Sequence, residues 1–157
     1  MLCGMVWLNL YNGNMETSNE QVINMNKLVA EFMGAVVDIN NTSQMKILVF
    51  PKGSLPDYTK NKWPEIGMLF HSDLDWQVPV LNKIMEIAKE KRWIGFSITT
   101  ATSFVRHNMK DIVNYVCSMG GALDQKYFSL SSQSSMAEAT FSCICKFIEW
   151  YNETNKV

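Results

Sequence analysis

The chain has 157 residues, 47% of them hydrophobic and 18% charged, the balance of one packed domain and not of a disordered tail or fibrous repeat. Fourteen basic residues against fifteen acidic ones leave a formal net charge of -1. No overall field gathers phosphates or anionic lipid, so nucleic acid and membrane surfaces are disfavoured partners.

No apolar run approaches the roughly 20 residues of a membrane-crossing helix. Residues 1–14, MLCGMVWLNLYNGN, are apolar but lack the basic leader and cleavage site of a signal peptide. The expected compartment is the cytoplasm, with 1–14 read as an extension and 15–157 as a single α+β domain. Cys3, Cys117, Cys143 and Cys145 match neither a disulfide framework nor paired zinc knuckles, and are expected to be reduced thiols. Cys143 and Cys145 fall two apart in a predicted helix, so they point to different faces and cannot share a metal.

The first element is a helix over 18–33. Thr17 and Glu20 form a capping box, Val22, Met25, Leu28, Val29 and Phe32 recur at helical spacing, and Gly34 supplies the stop. AVVDIN and MKILVFP then read as a hairpin across a turn of Asn, Thr and Ser. Residues 52–67, with Gly53, Pro56, Pro64 and Gly67, are loop chemistry, and a binding loop would sit there.

A second helix begins near Ser72, whose hydroxyl is expected to cap it while Asp73 and Asp75 favour the positive end of its dipole. Trp76, Val80, Ile84 and Ile87 line one apolar edge; Val78, Leu81, Met85 and Ala88 line another. Pro79 either kinks the first turns or delays the regular helix to about Trp76.

WIGFSITTATSFV, residues 93–105, is aromatic and β-branched and reads as one long strand or a tight hairpin. NMKDIVNYVCSMGG fits helix or strand, and the helix is preferred because Asn108 and Asp111 resemble a helix start. QKYFSLSS reads as a strand. The last helix has a capping box in Ser135 and Glu138, with Met136, Thr140, Cys143, Ile144, Phe147 and Tyr151 on one face. Together these predict an α+β fold with three main helices and a largely antiparallel sheet.

The segments NKLVAEFMG, LFHSDLDWQVPVLNKIMEI and EATFSCICKFIEWYNE, in this order, resemble those of the phage ABA sandwich domain, a family of small proteins from gut bacteria, phages and prophages. The resemblance spans about 16–153 and departs from the family pattern over 99–133. It implies a helix, sheet and helix sandwich. It carries no catalytic residue across, and Leu74 with Trp76 leaves incomplete the tryptophan pair usual at that helix start. The resemblance also makes Met15 a candidate start.

Three groups of residues bear on chemistry. His71, Asp73 and Asp75 could hold a divalent metal or a ligand if another group joined them, although capping and the helix dipole ask for the same residues. Lys60, Lys62 and Trp63 could stack on a base or clamp a peptide, against the simpler reading of a loop anchored by a buried indole. His107, beside Arg106 and near Asp111, lacks a nucleophile in a recognisable elbow, and no phosphate-cradling glycine motif occurs. The sequence therefore points to an accessory or interaction protein of phage or prophage origin, without catalysis or cofactor. The rival is a small enzyme or metal- or ligand-binding domain using His71, Asp73 and Asp75.

Two structural expectations complete the reading. Val22, Leu28, Phe32, Leu81, Ile84, Ile144 and Phe147 should form a core against Ile47, Val49, Ile94, Phe96 and Ile98. If 93–105, which has no charge or proline between Trp93 and Val105, lies at a sheet edge, it is unprotected and with Trp150 and Tyr151 suggests a homodimer besides an unknown protein partner; the alternative is a central strand with those aromatics buried inside one monomer.

Overall fold

The computed structural model describes residues 19–39, 42, 45–56, 60–93, 95–107, 110–121, 127–132 and 134–155, with backbone alone at 104–107 and 110–112. The expected cap Thr17 and residues 1–14 lie outside the described residues. The chain is α+β, with helices and sheets alternating in the order helix, sheet, helix, sheet, helix. Helix α1 (Asn19–Phe32) leads to β1 (Val36–Val37), β2 (Ile47–Val49) and β3 (Lys62–Pro64), then α2 (Leu74–Glu90). Strands β4 (Ser97–His107), β5 (Lys110–Gly120) and β6 (Phe128–Ser132) precede α3 (Met136–Thr154). Each set of strands forms its own antiparallel sheet, β1-β2-β3 and β4-β5-β6. Among the described residues, no helix is long and apolar enough to cross a membrane.

Local chemistry explains the helix ends. Gly34 takes φ +85°; its N–H bonds to the Glu31 carbonyl and that of Ala35 to Ala30, both at 2.9 Å, which closes α1. Helix α2 closes by the same pair of bonds around Arg92 at φ +56°, with Arg92 N–H on Lys89 and Trp93 N–H on Ala88. The α2 cap is Asp73 and not Ser72: its carboxylate accepts the Asp75 N–H at 2.9 Å. The N–H groups of Ser72 and Asp73 both bond back to Leu69, a turn that leaves Ser72 one residue short of the helix. Helix α2 runs through Pro79, giving up one backbone bond there. In α3, Ser135 Oγ accepts the Glu138 N–H at 3.1 Å, while the Glu138 carboxylate accepts from Ser132 Oγ at 2.5 Å.

Two expectations are corrected. NMKDIVNYVCSMGG contributes a strand, β5, and not a helix; it is the middle strand, hydrogen-bonded to β4 on one side and β6 on the other. Alternation decides it: Cys117 and Met119 are fully buried while Ser118 between them is not. The stretch expected as loop over 52–67 contains β3, whose Pro64 is tolerated because β3 pairs with β2 alone.

The core also differs in part from expectation. Ile84, Ile144 and Phe147 are fully buried, and Leu28, Phe32, Leu81, Phe96 and Ile98 pack half-buried against them. Val22, Ile47 and Val49 stay at its margin, and Ile94 lies outside the described residues. In β2 the inward positions are those of Leu48 and, just past the strand, Phe50, so the face chosen for Ile47 and Val49 was off by one residue.

Helix α3 packs on β5 and β6 with one side and on α1 and α2 with the other. It therefore buries residues nearly all round, including Ala139, Phe141, Cys143, Cys145 and Ile148. Phe147 sits at its centre, with the rings of Phe32, Trp93, Phe96, Phe128, Trp150 and Tyr151 between 5.8 and 6.4 Å away. Phe147→Ala should cost about 3–5 kcal/mol of unfolding free energy. An unchanged denaturant midpoint would contradict this packing.

Candidate functional site

The start of α2 holds the sequence-predicted trio, and the structure gives each member separate work. Asp73 caps the helix and Asp75 supplies the capped N–H. His71 turns toward α1, where Asn26 Nδ2 lies 3.1 Å from its Nδ1 and donates to the Met68 carbonyl at 3.0 Å. The Phe141 ring meets the imidazole edge-on at 6.2 Å. Among the described residues, no three His, Cys, Asp or Glu side chains gather in a metal-binding group.

Asn26 was missed by the sequence reading, although position 26 follows Val22 by four and precedes Val29 by three, on the apolar side of α1. Gln77 was missed likewise. It is fully buried and its Nε2 donates to Phe70 at 2.6 Å and to Ala137 at 2.8 Å, tying the approach to α2 to the first turn of α3.

Lys60, Lys62 and Trp63 form no open clamp. The Trp63 indole N–H donates to the Lys60 carbonyl at 2.6 Å, and its ring lies edge-on to the buried Trp76 at 4.9 Å. Lys62 forms a 2.9 Å ion pair with Asp38 across the sheet. Lys60 is exposed. The side chains of His107, Arg106 and Asp111 lie outside the described residues; their strands place Arg106 opposite Asp111 and His107 opposite Lys110.

The loop that sequence chemistry marked for binding roofs a cleft of about 500 Å³ between residues 52–56 and α2, lined among others by Lys52, Ser54, Asn82, Lys83 and Glu86. Lys83 donates to the Phe32 carbonyl at the end of α1 and stands 4.9 Å over the Phe32 ring. Burial lowers its pKa, opposed by nearby Glu86.

The described thiols Cys117, Cys143 and Cys145 are free and buried. A hydrogen bond with Cys117, then burial, pushes the Cys143 thiol far up; Cys117 is drawn down by that same bond against the opposing effect of burial. Full burial likewise raises Cys145.

Strand β4 pairs with β5 over eleven positions, Ser97↔Gly120 to His107↔Lys110, but β5 pairs with β6 only over Tyr115–Met119. Five β4–β5 pairs thus run past β6, a ribbon of about 17 Å at the usual strand rise. Among the described residues, the outer side of β4 has no partner strand. Residues 99–103 are exposed on both faces. Trp150 and Tyr151, expected at an interface, instead pack on the Phe147 cluster.

No protein-family model, curated protein or solved structure matches the chain.

The His71 geometry gives a pH prediction. Burial chiefly, against a Met68 backbone hydrogen bond that favours the charged form, holds its pKa below the ordinary 6.5. The unfolded chain therefore takes up this proton first as pH falls. The His71 contribution is complete above about pH 6.5 and is lost as pH falls through the lower folded value. Denaturant midpoints measured from about pH 7.5 to 5 should fall more steeply for the native chain than for His71→Gln. Equal slopes would show that the imidazole is not held neutral.

Proposed function

We propose that the protein is a non-enzymatic accessory protein of phage or prophage origin that works by binding another chain along the edge of β4. The phage part of this reading rests on the resemblance to the phage ABA sandwich domain. The binding part rests on one observation: an eleven-residue edge strand with no charge or proline over 93–105 and no partner strand among the described residues. Such an edge offers a row of backbone donors and acceptors to an added strand.

The candidate reactive groups support the non-catalytic part. His71 is engaged by Asn26, Asp73 by the end of α2, Lys62 by Asp38 and Trp63 by Lys60. Each is spent on holding the fold.

The test compares tagged native protein with Thr99→Lys/Ser103→Lys, both at exposed positions, in the chains that co-purify from a bacterial host. At least one chain should be lost with the variant while its melting temperature stays unchanged. Identical sets, with an untagged co-expressed copy of the chain retained equally by both, would overturn the assignment of β4.

A second reading, a small-ligand-binding domain, is favoured by the cleft under residues 52–56 and its half-buried Lys83. It requires that a panel of small carboxylates raise the melting temperature of the native chain and not that of Lys83→Met.

A further inference from the structure

Resting on the assignment of β4 as the binding edge, we propose that the chain it binds is a second copy of itself, joined antiparallel along 99–103 about a two-fold axis at Ala101.

The sequence of this stretch reads Thr99, Thr100, Ala101, Thr102, Ser103. Turned against itself it sets Thr99 opposite Ser103 of the second copy, Thr100 opposite Thr102, and Ala101 opposite Ala101. Every pair is hydroxyl with hydroxyl or methyl with methyl. Cross-strand Thr–Thr and Thr–Ser pairs are favourable, and nothing in the stretch sets like charges across the axis. A foreign strand needs no such symmetry in β4, whereas a two-fold pairing demands it, since one stretch must serve as both halves of the interface.

The layers also leave room for it. Residues directly opposite in an antiparallel pair share a face, so Thr100 and Thr102 lie on the same face as Cys117 and Tyr115, their partners on β5. Cys117 is fully buried under α3, yet Thr100 and Thr102 are exposed. Helix α3 thus reaches β4 only near Ile98 and leaves 99–103 uncovered. The axis at Ala101 puts even-numbered residues opposite even-numbered ones, so both copies carry α3 on the same side. The two helices then flank an open strip of threonines, and the two three-stranded sheets become one of six strands.

The test uses the full chain and positions on the other, solvent-facing side of β4. Light scattering of the native protein over micromolar concentrations should give twice the 18.0 kDa of the chain. Thr99→Lys/Ser103→Lys places lysine against lysine twice across the axis and should raise the dissociation constant about tenfold or more. Thr99→Lys/Ser103→Glu places lysine against glutamate twice and should restore the native value. Within one chain the two positions are four apart on a strand, on the order of 13 Å, so the rescue reads the contact between copies and not a contact within one.

A native mass of one chain overturns the second copy, as does a dimer in which the two variants behave alike. If the mass is that of a monomer while a different chain is lost from the lysine variant in co-purification, β4 remains the binding edge and only its occupant is wrong. A monomer whose β4 amides resist hydrogen exchange would put another segment of the same chain on the edge, and also overturns the pairing of copies.

Discussion

Helix α3 is held from two sides, and the rest of the molecule is arranged around that constraint. A helix on a protein surface buries one stripe and leaves the other to water. Here β5 and β6 take one side and α1 and α2 the other, so apart from the fully buried Thr140 the polar residues of its middle lie in narrow seams such as Glu138, Lys146 and Glu149. Close approach on both sides favours small side chains, and Ala137, Ala139, Cys143 and Cys145 supply them. This gives the cysteines a reason that requires no reactivity. Buried thiols fill space as small apolar groups; the hydrogen bond with Cys117 and then burial push the Cys143 thiol up, and burial does so for Cys145. Phe147 fills the opening left between the small residues and gathers aromatic rings from α1, β6, the segment before β4 and its own helix.

Two buried amides connect what packing alone would leave loose. Gln77 binds the carbonyls of Phe70 and Ala137, and Asn26 binds that of Met68. The segment from Met68 to Phe70, which has no regular structure of its own, is thereby pinned from both α1 and α2. A buried amide left without partners is costly, so each position specifies one relative placement of the elements it joins. His71 belongs to this framework. His71, Asp73 and Asp75, which resembled a ligand set in sequence, lie in turn beside Asn26, at the cap of α2 and in its first turn.

Sequence chemistry was most legible where the cause is local. Gly34 and Ser135 close their helix ends as expected because a left-handed stop and a hydroxyl cap depend on few neighbours. Arg92 occupies the same left-handed position as Gly34, but no arginine advertises it; the packing of Trp93 on the Phe147 cluster holds the turn instead. The helical reading of 108–121 rested on Asn108 and Asp111 as a helix start, and pairing with the strands on either side decides for β5. Strand β3 was hidden by Pro64, which an edge position excuses. Asn26 and Gln77 were invisible for a different reason. Their partners are backbone carbonyls distant in sequence, and no residue pattern records which carbonyl a buried amide will meet.

The bare edge at β4 follows from dimensions. A helix with its side chains is about 10 Å across and neighbouring strands are about 4.8 Å apart, so one helix covers roughly two strands. A three-stranded sheet under α3 alone must leave one strand uncovered. Phe128 on β6 and Cys117 and Met119 on β5 are buried, whereas on β4 Ile98 is half-buried and 99–103 are exposed. Its composition fits that place: threonine, serine and alanine tolerate water on both faces, and the threonines keep the β preference of the strand. Charge or proline would have closed the edge to further pairing at little cost to the fold, and the stretch from Trp93 to Val105 contains neither. A strand built to tolerate water but not to refuse a neighbour is a surface that stays folded alone and gains hydrogen bonds when joined.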